Sequence, residues 1–228
     1  MSLKLIQAGN VSYNESSDFP EILPIFPLTG ALLLPGGHLP LNIFEPRYLQ
    51  MIGDAMQNHK LIGMIQPKPN AEPRDDGQQP LSKIGCIGRI TACQESGDGR
   101  LLISLSGVCR FTMLDELSTT KLYRQVQFEP SISDLEDNPG NDNVDRDGVL
   151  TAFRNYLQAN GMDADWDTVK RTETDTLITA LCMMSPFEPA EKQALLESPD
   201  LKTRAETLIA ISEFYLARNS DQEVPSVQ

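Results

Sequence analysis

ILPIFPLTGALLLPGGHLPLNIFEPRYLQMIGDAM, residues 22–56, is strongly apolar yet broken by five prolines and four glycines. No run of about 18 apolar residues survives between the breakers, so a transmembrane helix is excluded here. Pro24, Pro27, Pro35 and Pro40 would each remove an N–H donor and clash with the preceding helical turn. Short extended segments are the alternative. Residues 22–26 and 31–34 read as strands, the Gly36-Gly37 pair as a turn, and 39–44 as a third extended segment. From Pro46 the period changes. Tyr48, Leu49, Ile52, Ala55 and Met56 follow helical spacing, which predicts a helix near 46–57. Pro46 suits the first helical position, and Phe44 is placed to staple onto Leu49.

Outward from this stretch the pattern stays extended as far as residue 130. Residues 67–80, PKPNAEPRDDGQQP, are dense in turn formers and read as a long surface loop. In 84–95, Ile84, Cys86, Gly88, Ile90 and Ala92 share one face of a strand. In 101–114, Leu101, Ile103, Leu105, Cys109, Phe111 and Met113 lie on the odd face, with Gly107 as the expected bend or bulge. The residues ESGDGR, 95–100, make the hairpin turn between them, and 122–130 is a further strand. Several short strands with curling glycines suggest a small barrel.

The stretch 131–148 holds six acidic residues and one arginine and reads as a linker. Beyond it the period is helical. Val149, Leu150, Phe153, Tyr156 and Leu157 form one stripe, and Val169, Leu177, Ile178, Leu181 and Cys182 a second, ending before Pro186. A short helix opens at Pro189. Ser198 and Pro199 read as the cap and first turn of a last helix carrying Leu201, Ala205, Leu208, Ile209, Ser212, Tyr215 and Leu216. The expected organisation is therefore α+β: a loose leader over 1–19, a β-barrel with one helix over 20–130, the acidic linker over 131–148, a helical subdomain over 149–218 and a polar tail over 219–228.

Composition narrows the function classes. The 228 residues carry 19 Lys+Arg against 32 Asp+Glu, a net charge of −13. That repels nucleic acid phosphates and anionic membrane surfaces. Aromatics are few, and no basic stripe with interleaved aromatics occurs. The four cysteines form no CxxC pair, and the two histidines, His38 and His59, are remote from them in sequence, so no zinc site is expected. The leader lacks an apolar core of signal-peptide length, which predicts a cytoplasmic protein with reduced thiols. There is no P-loop, HExxH, GxSxG or GxGxxG. His38 reads as a polar turn residue and His59 as a residue after a helix. Asp75-Asp76, Asp163 and Asp165 read as loop and cap carboxylates. Cys109 reads as a packed thiol. No catalytic residue, metal or cofactor is expected.

Four pieces in order resemble the N-terminal domain of the Lon protease family. They are 23–56; IGCIGRI at 84–90, with Gly85, Gly88, Arg89 and Ile90; LLISLSGVCRFTM at 101–113, with Gly107, Arg110 and Phe111; and MSPFEPAEKQALLESPDLKTRAETL at 184–208. The resemblance spans roughly residues 20–216. It implies a PUA-like β-barrel followed by a helical bundle, and a non-enzymatic module that binds unfolded or tagged polypeptides. The family's ATPase and protease modules have no counterpart in this sequence, so a stand-alone substrate-binding protein is expected. An adaptor acting in trans on a separate protease and a PUA-like RNA binder are the alternatives. An exposed apolar groove with a polar rim would do the binding. The candidate residues are Leu34, Pro35, Phe44, Arg47 and Tyr48. Packing inside the fold is the competing role for each apolar one, and a plain helix-face position is the competing role for Arg47.

Overall fold

A computed structural model describes residues 6–69, 71–136 and 143–222. Its strands are β1 (Ile6–Ala8), β2 (Val11–Tyr13), β3 (Ile22–Pro27), β4 (His38–Ile43), β5 (Leu61–Ile65), β6 (Ile84–Glu95), β7 (Leu101–Leu117) and β8 (Gln125–Pro130). Its helices are α1 (Pro46–Met56), α2 (Arg146–Ala159), α3 (Trp166–Arg171), α4 (Thr174–Met184), α5 (Pro189–Glu197) and α6 (Leu201–Gln222). The architecture is α+β, a β-sheet unit and six helices among the described residues. The chain divides into two units, the first taking in Met1–Asp137 and Pro186–Leu196.

In the first unit six strands form one sheet in the order β4-β7-β6-β5-β3-β8. Only β3 and β5 are parallel. That geometry needs a crossover, which β4 and α1 supply. The sheet curls until β8 meets β7 as well as β3, while β4 stays outside that circuit as an edge strand. Inside lie Leu23, Ile25, Leu61, Ile87, Cys109, Phe111 and Val126, all buried. Pro46 opens α1 behind the cap residue Glu45, and the helix buries Tyr48, Met51, Ile52 and Ala55.

Residues 31–34 are not the strand that their apolar run predicts. They are irregular and buried at Leu32, Leu33 and Leu34. The turn after them docks on β7: the Gly36 N–H donates to the Gly107 carbonyl at 3.0 Å, and the Gly107 N–H to the Gly37 carbonyl at 2.8 Å. A Cβ on Gly107 would collide with the Leu34 carbonyl oxygen. Gly107 is therefore a close-approach glycine. The bulge expected there lies next to it, where Ile87 pairs with Cys109 but Gly88 with Gly107, leaving Val108 extra.

Arg110 and Phe111 follow. The Arg110 guanidinium meets the Asp134 carboxylate at 2.6 Å, both side chains only 9% exposed, and the Arg110 N–H donates to the same carboxylate at 2.8 Å. This charge-assisted pair fastens the short 3₁₀ helix Ile132–Leu135 against β7. The segment around Tyr13 and Phe19 is also built in. Tyr13 stacks on Phe19 with ring centroids 5.2 Å apart, and Arg89 donates to the Tyr13 hydroxyl at 3.0 Å. The expected loose leader thus has folded structure from Ile6 onward, because Tyr13 and Phe19 cover one end of the core. Its first five residues, the middle of the expected linker at 137–142 and the end of the tail at 223–228 lie outside the described residues.

Helix α5 groups with the sheet and α1, not with α2, α3, α4 and α6. Lys192 Nζ donates to the Gly30 carbonyl at 2.8 Å, and Gln193 Nε2 to the Ile84 carbonyl at 3.1 Å. Gln66 Nε2 donates to the Pro189 carbonyl at 3.1 Å. Burial lowers the Lys192 pKa. The helical bundle expected over 149–218 is thus interrupted, since α5 carries polar side chains that complete the sheet unit's backbone hydrogen bonds.

In the second unit α6 packs against α2 and α4. The rings of Tyr156 and Tyr215 meet edge-on at 5.1 Å, and the Tyr215 hydroxyl donates to Asn160 Oδ1 at 2.9 Å. The stripe at 169–182 is two helices, not one. Arg146 Nη2 takes the Val169, Lys170 and Thr172 carbonyls at 3.0, 3.2 and 2.7 Å, satisfying the end of α3 and stopping it there. Helix α6 starts later than Ser198-Pro199 predicts. Asp200 is its cap, accepting the Thr203 N–H at 2.7 Å.

Candidate functional site

The five residues expected to line a binding surface separate into interior and exterior. Leu34 is fully buried and Tyr48 nearly so. The Tyr48 ring packs on Phe26 at 4.1 Å between centroids, and its hydroxyl, pushed up in pKa by burial, donates to the Pro27 carbonyl at 3.3 Å. Both are packing residues. Pro35 is half-buried in the turn against Gly107. Phe44 and Arg47 reach the surface. Phe44 is 61% exposed; the Arg100 guanidinium lies 5.7 Å from its ring centroid. Arg47 pairs with Glu45 at 2.7 Å and lies over the Tyr48 ring at 4.5 Å.

Phe44 belongs to a larger surface that the odd-face pattern of β7 conceals. The register aligns Pro40 with Ser104 and Ala92, and Asn42 with Leu102 and Gln94, across β4, β7 and β6. Alternation puts these side chains on one face, and Phe44 follows one pair beyond Asn42. All are exposed except the half-buried Ser104, and Leu102 is 46% exposed. The face carries no charge, in a chain where 22% of residues are charged. Charges stand at its two ends. At the tip Arg100 pairs with Asp98 at 3.1 Å and Arg47 with Glu45. In the row before Pro40, Ser104 and Ala92, Arg89 lies in register with Ser106 and His38, its guanidinium held by the Tyr13 hydroxyl and the His59 carbonyl. The even positions of LLISLS could have revealed Leu102 and Ser104. Ala92 and Gln94 could not be found that way, because a bulge at Thr91 shifts the phase of β6.

Elsewhere a polar cleft of about 580 Å³ is lined by Arg74, Glu116, Lys121, Leu122, Tyr123 and Arg124 among others. Arg74, Glu116, Lys121 and Arg124 are all paired. Glu116 takes Arg124 at 2.6 Å and Arg74 at 2.8 Å, and these two guanidinia hold its carboxyl below the usual range, Arg124 the more strongly. Asp54 accepts from Lys121 at 2.9 Å and from the Tyr123 hydroxyl at 2.8 Å, which lowers its own pKa. This is a lattice of mutual pairs, with exposed Leu122 on its rim.

The residues considered for chemistry are dispersed. His38 begins β4 opposite Ser106, and the His59 carbonyl accepts from Arg89 at 2.9 Å. Asp165 caps α3, and Asp163 accepts from the Trp166 indole at 3.1 Å. Cys86, Cys109 and Cys182 are buried and Cys93 is exposed. Burial pushes the Cys109 thiol up, and pushes Cys182 up to about 12. Among the described residues no three His, Cys, Asp or Glu are gathered to hold a metal ion, and no helix is long and apolar enough to cross a membrane.

Comparison with known proteins identifies the architecture. Residues 22–211 match the ATP-dependent protease La (LON) substrate-binding domain. The chain belongs to the Lon substrate-binding domain family. Among its relatives, "Lon protease 2" of Myxococcus xanthus is 26% identical over 201 residues, which is 85% of this chain and 24% of that protein. The Lon protease of Parabacteroides distasonis is 29% identical over 200 residues, 84% of this chain and 24% of that protein. The chain thus spans about a quarter of the length of these relatives. Two solved structures share the fold at a TM-score of 0.59 each. The Lon N-terminal domain protein of Xanthomonas campestris is 21% identical, covering 83% of this chain and 97% of its own. The N-terminal domain of the Mycobacterium avium complex Lon protease is 17% identical, covering 84% and 98%. For this Lon substrate-binding domain, the motif residues now have physical roles. Gly107 admits the Leu34 carbonyl, Arg110 binds Asp134, and Gly85 leaves room for Phe111, which a Cβ there would meet at 2.5 Å.

Proposed function

We propose that this protein is a polypeptide-binding module that engages unfolded or tagged chains, with no catalytic step of its own, through the uncharged face built by β4, β7 and β6. The observation that carries this reading is the family match over 22–211, whose description is a substrate-binding domain. The curled sheet is read as the PUA-like barrel of that domain, followed by helices from 149 onward. The exposed face supplies what such binding needs. Phe44 and Leu102 offer apolar area, and Asn42, Gln94 and Ser104 offer uncharged hydrogen-bonding groups at low desolvation cost. Phe44 and Arg47 remain in this assignment as anchor and rim; Leu34 and Tyr48 support them from inside.

A PUA-like domain that binds RNA is disfavoured by the charge of −13 and by the internal pairing of Arg74, Lys121 and Arg124. Action as an adaptor for a separate protease is compatible with the same face and would show as altered degradation rates in trans. The test is a Phe44→Ser/Leu102→Ser double variant, titrated into a fluorescent, permanently unfolded polypeptide and followed by anisotropy. Loss of two apolar anchors is expected to weaken binding about tenfold or more. The melting temperature should hold, because both side chains are exposed. An unchanged Kd would remove this face from the assignment.

A further inference from the structure

The open edge of β6 bordering that face points to a mode of binding. Strand β5 pairs with β6 only as far as Leu61 opposite Arg89, and the last bond on that side is the Ile90 N–H to the Lys60 carbonyl at 2.8 Å. Beyond it, residues 91–95 pair with β7 alone among the described residues, and all five are exposed. The hairpin sets the phase of the ladder, since the Ser96 N–H donates to the Arg100 carbonyl at 3.0 Å. In an antiparallel pair the bonded positions alternate. Gln94 with Leu102 and Ala92 with Ser104 are then the bonded pairs, so Cys93 and Glu95 direct their N–H and C=O groups away from β7.

The opposite edge confirms the phase. Gly107 exchanges bonds with the Gly36-Gly37 turn at the head of β4, so the odd residues of β7 face β4. Pro40, at an even register, then faces outward, where its missing N–H costs nothing and blunts that edge against pairing. The Gly9 turn lies beside Thr91, and past it the β6 edge has no such guard among the described residues. Its residues Thr91, Ala92, Cys93 and Gln94 are uncharged, and none is proline.

We propose that this edge takes an extended segment of the bound polypeptide as an added β-strand, hydrogen-bonded to the backbone of Cys93 and Glu95. This rests on the polypeptide-binding function above and specifies its mechanism. Main-chain bonds are common to every unfolded chain, so strand addition gives affinity without demanding a particular sequence. The added strand continues the sheet surface of Ala92, Gln94 and Leu102, where its alternate side chains find uncharged, partly apolar neighbours. Glu95 and Asp98 at the end of the arm favour segments with a basic residue at that end.

The test compares wild type, Cys93→Pro and Cys93→Ser for binding to a labelled, unstructured peptide of about a dozen residues, with the same peptide N-methylated at alternate amides as a second arm. Cys93→Pro deletes one outward N–H while leaving the ladder to β7 bonded. It is expected to weaken binding at least tenfold, with Cys93→Ser matching wild type and the N-methylated peptide likewise losing tenfold. A folded Cys93→Pro protein that binds as wild type does would overturn the proposal. If that variant fails to fold, the N-methylated peptide decides, and equal affinity for both peptides overturns it. Self-association of wild type that Cys93→Pro abolishes, with peptide affinity untouched, would assign the edge to a second copy of the chain and overturn it too. Absence of any peptide binding by wild type overturns the polypeptide function itself, whereas binding that survives Cys93→Pro overturns only the edge.

Discussion

At the scale of single residues, the consequential positions are those where two pieces of backbone touch. Gly107 is one. The sequence shows a glycine in a curling strand, which reads as a bend. Its actual role depends on the carbonyl of Leu34, 73 positions earlier, and no local pattern reports that contact. Gly107→Val is expected to destabilise the protein by about 2–3 kcal/mol or more, since it drives a branched side chain into backbone. A urea melt showing wild-type stability would contradict the contact. Arg110 and Asp134 teach a similar lesson. Arg110 was visible as part of a motif, while Asp134 looked like one acid among six in a linker. Removing one member of a buried ion pair leaves the other uncompensated, so Asp134→Ala should cost about 3–5 kcal/mol. A loss under 1 kcal/mol in the same melt would show the pair to be dispensable. The face residues divide by the same logic. Phe44 and Arg47 lie at the surface, whereas Leu34 and Tyr48, which look equally apolar in sequence, are placed inside by their contacts.

At the scale of elements, period and punctuation carried far. The stretch 22–56 yields β3, β4 and α1 near the expected boundaries, because prolines and glycines leave the chain few options. What failed was anything decided by a partner. Residues 31–34 are apolar enough for a strand but run as irregular, buried chain into a turn whose Gly36 and Gly37 bond β7. The helix at 169–182 is split by Arg146, which arrives from another helix. Helix α5 has a helical sequence but joins the sheet through Lys192 and Gln193. The loop at 67–80 and the end of β7 make a further element-level device, in which Glu116 links Arg74 to Arg124. Its carboxyl is held below its ordinary value of 4.5 by those two guanidinia. A folded value below the unfolded one means the contribution is full above about pH 4.5 and fades as pH falls through the folded value. The melting temperature of wild type should therefore fall more steeply below that pH than that of Glu116→Gln. Parallel acid limbs for the two proteins would show that the pair adds nothing to folding.

At the scale of the whole molecule, the division into a sheet unit and helices was legible from the change of period after residue 130. That α5 returns to the sheet was not, since its sequence is as helical as its neighbours'. Thiol chemistry offers a global check on the packing. Of the four cysteines, Cys86, Cys109 and Cys182 are buried and only Cys93 faces solvent. An aromatic disulfide reagent at pH 8 should titrate one thiol quickly in the native protein and four after denaturation. Two or more fast thiols would mean that the core is more open than described. The charge of −13 acts at this scale as well, repelling polyanions while leaving the uncharged β4–β7–β6 face available. The central claim, that this Lon substrate-binding domain engages polypeptide, is tested most directly by anisotropy of a fluorescent, permanently unfolded polypeptide against the purified protein at physiological salt, with a short RNA in parallel. Saturable binding of the polypeptide with none of the RNA is the predicted result. Saturable RNA binding, or no response to polypeptide at protein concentrations up to about a millimolar, would contradict it.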